Sequence, residues 1–291
     1  MQFELAPLYV RAARGASAGS NAAFERFSPC GAETMKRLAV ANVPVYNMPV
    51  YGAVQIETLD AARGEFQLSY AGAELADSYI INFSERFLGP GDLACAQRDR
   101  TTGRRMFANR MVVGLALGLK HHQVRATGLT GGYVWARAGV LPDSEEESAY
   151  LSDTLFKRAT QLKNYIGEDQ YDRLLDLCHL ATPDCLYAIA HMDDRPGIPS
   201  KTFTRALERT TGPYNYDYYA DRGFMQGGLS ISKFMLMGLT FDSIIMMNNA
   251  AQMDRIESYC RVDIRVSAQL NQPTQCAERS SIPACQTVRP Q

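Results

Sequence analysis

The feature that most restricts this chain is a change of hydrophobic period near residue 97. Between Gly52 and Gln97 the runs AVQIETL, EFQLSY, SYIINFSERF and DLACAQR are separated by Ala-Arg-Gly, Ala-Gly-Ala and Gly-Pro-Gly. Successive strand side chains point to opposite faces, so runs of period two between turn residues predict a four-strand meander. The period then changes to that of a helix. In Gly103–Leu119, GRRMFANRMVVGLALGL, the residues Met106, Phe107, Met111, Val112, Leu115 and Leu117 fall mostly on one helical face behind a charged first turn. A strand-like stretch, HQVRATG, and a glycine-opened short helix ending at Gly139, GGYVWARAGV, come next. Strands followed by helices in this order predict an α+β fold.

The flanks carry different patterns. Residues 1–51 read as an N-terminal extension, a polar opening and then a helix near Ala32–Ala41 that stops before Pro44. Beyond the core at 52–141, the acidic run Asp143–Glu147 starts a helical pair, Ala149–Asn164 and Glu168–Leu180, and Thr182-Pro183-Asp184 opens a third helix, Cys185–Met192. The stretch from Asp193 to Gly228 is loop-rich and aromatic, with Tyr214, Tyr216, Tyr218, Tyr219 and Phe224. SKFMLMGLTFDSIIMMNN reads as buried strand and AAQMDRIESYC as helix, which closes a helical and strand extension at 142–267. Residues 268–291 lack apolar periodicity and are expected to be a disordered tail.

Composition excludes several classes of function. Thirty Lys+Arg against 31 Asp+Glu give a net charge of -1, so no global field steers the chain toward nucleic acid or an anionic membrane. The longest apolar run, Phe234–Met247, is interrupted by Gly238, Thr240, Asp242 and Ser243, well short of the roughly 20 residues a spanning helix needs, and no stable membrane insertion is expected. The first residues carry Glu4 before any basic residue and no continuous apolar stretch, which favours a cytoplasmic location over secretion. Seven cysteines without a CxxC describe no disulfide framework. The nearest approach to a metal set, Cys178, His179, Cys185 and His191, falls in a helical region and reads as buried thiols, so no metal is expected.

Chemistry concentrates where the meander meets the helix. Thr101, Thr102 and Gly103 at a helix start present backbone N–H groups, and Arg98, Arg100, Arg104 and Arg105 flank them, a combination suited to a pyrophosphate. Strand, turn, helix, strand and short helix together resemble the GNAT superfamily of N-acyltransferases. In that family an Arg/Gln-x-x-Gly-x-Gly/Ala turn holds the pyrophosphate of an acyl-CoA. RDRTTGRR fits with Arg98 first, Thr101 at the middle glycine and Gly103 at the last; a register two residues later puts Arg100 first and Arg105 where a small residue is usual. The resemblance implies a mixed, mostly antiparallel sheet flanked by helices, with a helical-rich C-terminal extension.

It also implies an acyl-CoA or carrier-protein thioester as donor, bound in a V-shaped gap between the strands of Cys95 and Val124. Backbone amides near Leu93–Gln97 would polarise the thioester carbonyl. Tyr133 is the candidate acid for the departing thiolate, two residues before Trp135, which stands at the family's tyrosine position. His122, of the His121-His122 pair, is the candidate base, and Cys95 is a nucleophile only if a histidine partners it. Met192, Met225, Met235, Met237, Met246, Met247 and Met253, with Phe224, Phe234 and Phe241, are either plain core or the lining of a tunnel for a long acyl chain. The long extension makes the chain similar in arrangement to the fatty-acyl maturases that modify Lys or ornithine side chains of ribosomal peptides, so an amine acceptor on a precursor peptide is expected. A catalytically inactive acyl-CoA-binding or protein-interaction module is the alternative.

Overall fold

Alternation of the kind seen in EFQLSY becomes a one-faced sheet. The computed structural model describes residues 18–41, 53–71, 75–91, 93–95, 100–211 and 228–270, which form a mixed α+β fold. They divide into two compact units, one taking in the residues up to Arg86, Leu93–Leu119 and those from Asp263 onward, the other Phe87–Asp92 and Lys120–Val262. This division runs through the 52–141 core read from the pattern.

In the first unit β1 (Ala53–Asp60), β2 (Glu65–Ala71) and β3 (Leu75–Asn82) form an antiparallel meander. A short strand, β5 (Leu93–Cys95), adds to β3 with Cys95 opposite Leu75 and Leu93 opposite Asp77. Val54, Ile56, Phe66, Leu68, Tyr70, Asp77, Tyr79 and Ile81 are buried, which is the period-two set of all three strands. Helix α1 (Ala18–Phe27) lies within the stretch read as a polar opening. Its only large apolar residues, Phe24 and Phe27, are three apart and share a face, and Phe24 sets its ring edge against Phe66 with centroids 5.3 Å apart.

Helix α3 (Arg100–Ala116) begins three residues before the Gly103 start expected from the pattern. It is buried without a break from Met106 to Gly114, so it is a central helix and not a one-faced one. Helices α2 (Ala32–Ala39) and α11 (Ile264–Leu270) cover it, and Asn109 Nδ2 donates to the Ala39 carbonyl at 3.0 Å. Ile264 and Ala268 are buried in α11, so helix continues past the expected start of the tail; residues from 271 onward lie outside the described residues.

In the second unit β4 (Phe87–Leu88) runs parallel to the start of β6 (His121–Ala126), with Leu88 opposite His122. The last strand, β8 (Phe241–Met246), is antiparallel to β6 and lies between it and β7 (Leu141–Pro142). Helix α4 (Gly128–Ala138) ends on Gly139 at φ +85°, and a Cβ on its Gly132 would stand 2.5 Å from the Leu236 carbonyl oxygen. Gly132 therefore lets α4 press on the end of α9 (Ile231–Leu236). The segment read as buried strand is thus α9, a turn and β8. Ser230 tips the choice toward helix by accepting from the Lys233 amide at 3.3 Å.

Helix α5 (Glu145–Ala159) is capped by Ser144 and α6 (Glu168–Cys178) follows it, matching the expected pair. Helix α7 (Asp184–Ala190) starts after Pro183, and α10 (Ala250–Cys260) follows β8. Helix α8 (Ser200–Thr211) occupies part of the stretch read as loop, because Phe203, Ala206 and Leu207 recur at helical spacing among polar neighbours and become buried. The aromatic run Tyr214–Tyr219 lies outside the described residues, as do Phe224 and Met225.

Candidate functional site

At the start of α3 the expected phosphate turn is itself helical. Thr101, Thr102, Gly103, Arg104 and Arg105 all belong to the helix, so the amides that point out of its N-terminal end are those of the first turn. Thr101 is exposed and Arg104 and Arg105 are half-buried, whereas Thr102 is 0% exposed and its side chain faces the core. Among the described residues a Cβ on Gly103 would meet nothing within 4 Å, so none of them demands glycine there. Arg98 lies outside the described residues, and of Arg100 and Cys95 only the backbone is described.

The second unit collects a polar cluster around Tyr133. Tyr133 and Arg137 lie four apart on α4 and share a face. The Arg137 guanidinium Nη1 donates to the Tyr133 phenol oxygen and to Asp193 Oδ1, both at 2.8 Å, and lies 5.6 Å over the Tyr133 ring. Ser232 Oγ donates to the same carboxylate oxygen at 3.4 Å and is 2.9 Å from Ser230 Oγ. Arg137 is raised above the ordinary guanidinium value: burial opposes its charge, and the bonds to Asp193 and Tyr133 outweigh that. The phenol oxygen therefore accepts one bond, and its own hydrogen has no acceptor among the described residues. The spacing of Tyr133 and Arg137 was readable in GGYVWARAGV, whereas Asp193, 56 residues beyond Arg137, left no local signal.

His122 is 0% exposed on β6, and its Nδ1 donates to the Leu88 carbonyl at 3.3 Å, the arrangement of a core histidine and not of a base that meets substrate. Its neighbour His121 stacks on Phe87 with centroids 5.6 Å apart. Met235, Met237, Met247 and Met253 are buried with Phe234 and Phe241 in the core of the second unit, while Met192 and Met246 are half-buried. Among the described residues no group of three or more His, Cys, Asp or Glu could hold a metal ion, and no helix is long and apolar enough to cross a membrane. Compared with known proteins, the chain matches no family model, no curated protein and no solved structure.

Proposed function

We propose that the chain is an N-acyltransferase that moves a medium or long acyl group from a CoA or carrier-protein thioester to an amine, such as a Lys or ornithine side chain of a peptide. The observation that carries this reading is Tyr133, whose oxygen accepts from Arg137 at 2.8 Å while its hydrogen has no acceptor among the described residues. In direct transfer the neutral amine nitrogen bonds to the thioester carbon, the C–S bond breaks and the thiolate takes the phenol proton, while the nitrogen gives its surplus proton to solvent, from which the phenolate is reprotonated. No covalent intermediate on the enzyme is needed. The donor pyrophosphate is assigned to the first-turn amides of α3 with Arg100, Arg104 and Arg105, and the order of meander, helix, strand and short helix supports that assignment. The preference for a long chain rests on Met192 and Met246, since the other described methionines are enclosed by the protein itself.

Titration with CoA, octanoyl-CoA and palmitoyl-CoA tests donor binding by thermal shift, and thiol release in the presence of a Lys-containing peptide tests turnover. A ligand at 100 times its Kd stabilises the folded state by about 2.7 kcal/mol. Replacing Tyr133 by Phe is expected to leave that shift intact and to lower kcat by about 100-fold or more. A shift without turnover in the parent protein supports the inactive binding module instead. Absence of both removes the reading.

A further inference from the structure

The first unit holds a second feature that its apolar core does not require. Asp77 on β3 and Arg110 on α3 are 5% and 2% exposed and form an ion pair inside a face otherwise built from Val54, Ile56, Phe66, Leu68, Ile81 and the two tyrosines Tyr70 and Tyr79. Arg110 Nε donates to Asp77 Oδ1 at 2.9 Å, Nη2 donates to the same oxygen and to the Ser78 carbonyl, and the guanidinium sits 5.2 Å over the Tyr79 ring. Tyr70, directly opposite Asp77 in the ladder, and Tyr79 both bury hydroxyls that have no hydrogen-bond partner among the described residues. Stability alone does not account for this patch. Apolar residues of similar volume replace a buried ion pair without loss in many proteins, and each orphaned hydroxyl opposes folding.

What the pair does is fix one register. A helix held only by apolar ridges can shift along a sheet at modest cost, but any shift of α3 would leave two buried charges unpaired. Asp77 is also the ladder partner of Leu93 in β5, and Arg110 lies ten residues, about 15 Å, along α3 from its first residue. We propose that Asp77 and Arg110 are positioning residues, which set the start of α3 and the backbone of Leu93–Cys95 in fixed relation. The inference rests on the acyltransferase reading, in which the first of these parts holds donor phosphates and the second polarises the thioester carbonyl. Phosphate binding needs only the helix start, whereas carbonyl polarisation needs both parts in register, so the pair should matter for kcat and not for donor affinity.

The test compares the parent protein with the double variant Asp77→Leu/Arg110→Met and with Arg110→Lys, which keeps the charge and loses the fork. Each is assayed for melting temperature, for CoA affinity by calorimetry, and for thiol release from octanoyl-CoA with a Lys-containing peptide. Because a displacement near 1 Å can cost about 100-fold in rate, the expected result is a kcat at least about tenfold lower in both variants, with CoA affinity within about threefold of the parent. A kcat within about twofold of the parent in both variants overturns the proposal. So does a parallel loss of CoA affinity and kcat, since that is the mark of a merely structural pair. If the parent itself neither binds CoA nor releases thiol, the acyltransferase reading fails first and this inference falls with it.

Discussion

Two buried arginines show two different ways of keeping a cation inside this protein. In the first unit Arg110 pairs with the side chain of Asp77, 33 residues away in sequence. In the second, Arg158 of α5 is 0% exposed and its Nη1 donates to the carbonyls of Phe234, Met235 and Met237, at 3.4, 2.9 and 2.6 Å, at the C-terminal end of α9. That end presents carbonyl oxygens with no partner inside the helix and the negative pole of its dipole, so a guanidinium both bonds and neutralises it. The difference lies in what can be removed. A pair of side chains can be replaced as a unit, but acceptors that belong to the backbone stay behind whatever residue faces them.

The strongest way to break this contrast is to replace Arg158 by Met, which should lower stability by about 3 kcal/mol or more because each stranded buried carbonyl costs about 1–3 kcal/mol. Chemical denaturation measures this directly, and a loss below about 1 kcal/mol would place Arg158 among the replaceable cations. In the first unit Arg110→Met alone strands the Asp77 carboxylate and should cost about 3 kcal/mol, whereas adding Asp77→Leu should recover stability to within about 1 kcal/mol of the parent. If the double variant is as unstable as the single, the two arginines are alike after all.

Gly132→Ala sharpens the comparison from the backbone side. Its methyl would meet the Leu236 carbonyl oxygen at 2.5 Å, at the same α9 end that Arg158 serves. A loss of roughly 1–3 kcal/mol is expected, together with a changed fluorescence of Trp135, the single tryptophan, as α4 is displaced.

Two smaller effects concern protonation. Burial, with Cys185 nearby, pushes the Cys178 thiol up from 9.0 to about 12. An acid whose value is raised by folding contributes stability below its unfolded value and loses it as pH rises, so stability should fall progressively above pH 9, and Cys178 should resist alkylation at pH 8 until the protein unfolds. Rapid labelling of Cys178 in the folded state, identified by peptide mass, would contradict its burial. The smallest effect belongs to the exposed pair Arg125–Asp242, in which the Arg125 hydrogen bonds hold the Asp242 carboxyl below its ordinary range. A lowered carboxylate stabilises above its ordinary range and loses that contribution as the pH falls through the lowered folded-state value. The difference in melting temperature between the parent and Arg125→Ala should therefore be slight at pH 7 and shrink as the pH falls below the ordinary carboxyl range, a small value consistent with solvent screening.

Local pattern carried most of the element types. Phe66, Leu68 and Tyr70 alternate as a half-buried strand must, and Met253, Ile256 and Cys260 recur as a buried helical stripe must, so β2 and α10 were readable before any coordinates. The alternation of the SYIINFSERF run extends back to Asp77, which is buried with Tyr79 and Ile81, and helical spacing sets Arg137 on the Tyr133 face. Where a short apolar run fits either period, pattern alone did not decide. The six residues of α9 became helical through the Ser230 cap, the close approach of Gly132 and the buried guanidinium of Arg158, the last two contributed from elsewhere in the chain.

The partners of buried charge belonged to tertiary structure alone. Periodicity states which face of an element is removed from water, because that depends on residues three, four or two positions away. It says nothing about which distant group will face a buried Asp77 or Arg158, nor that Asp193 will hold Arg137. Those pairings form only when docking brings elements together, and for the buried Asp77, Arg110 and Arg158 the cost of leaving a polar or charged group without its partner disfavours other arrangements.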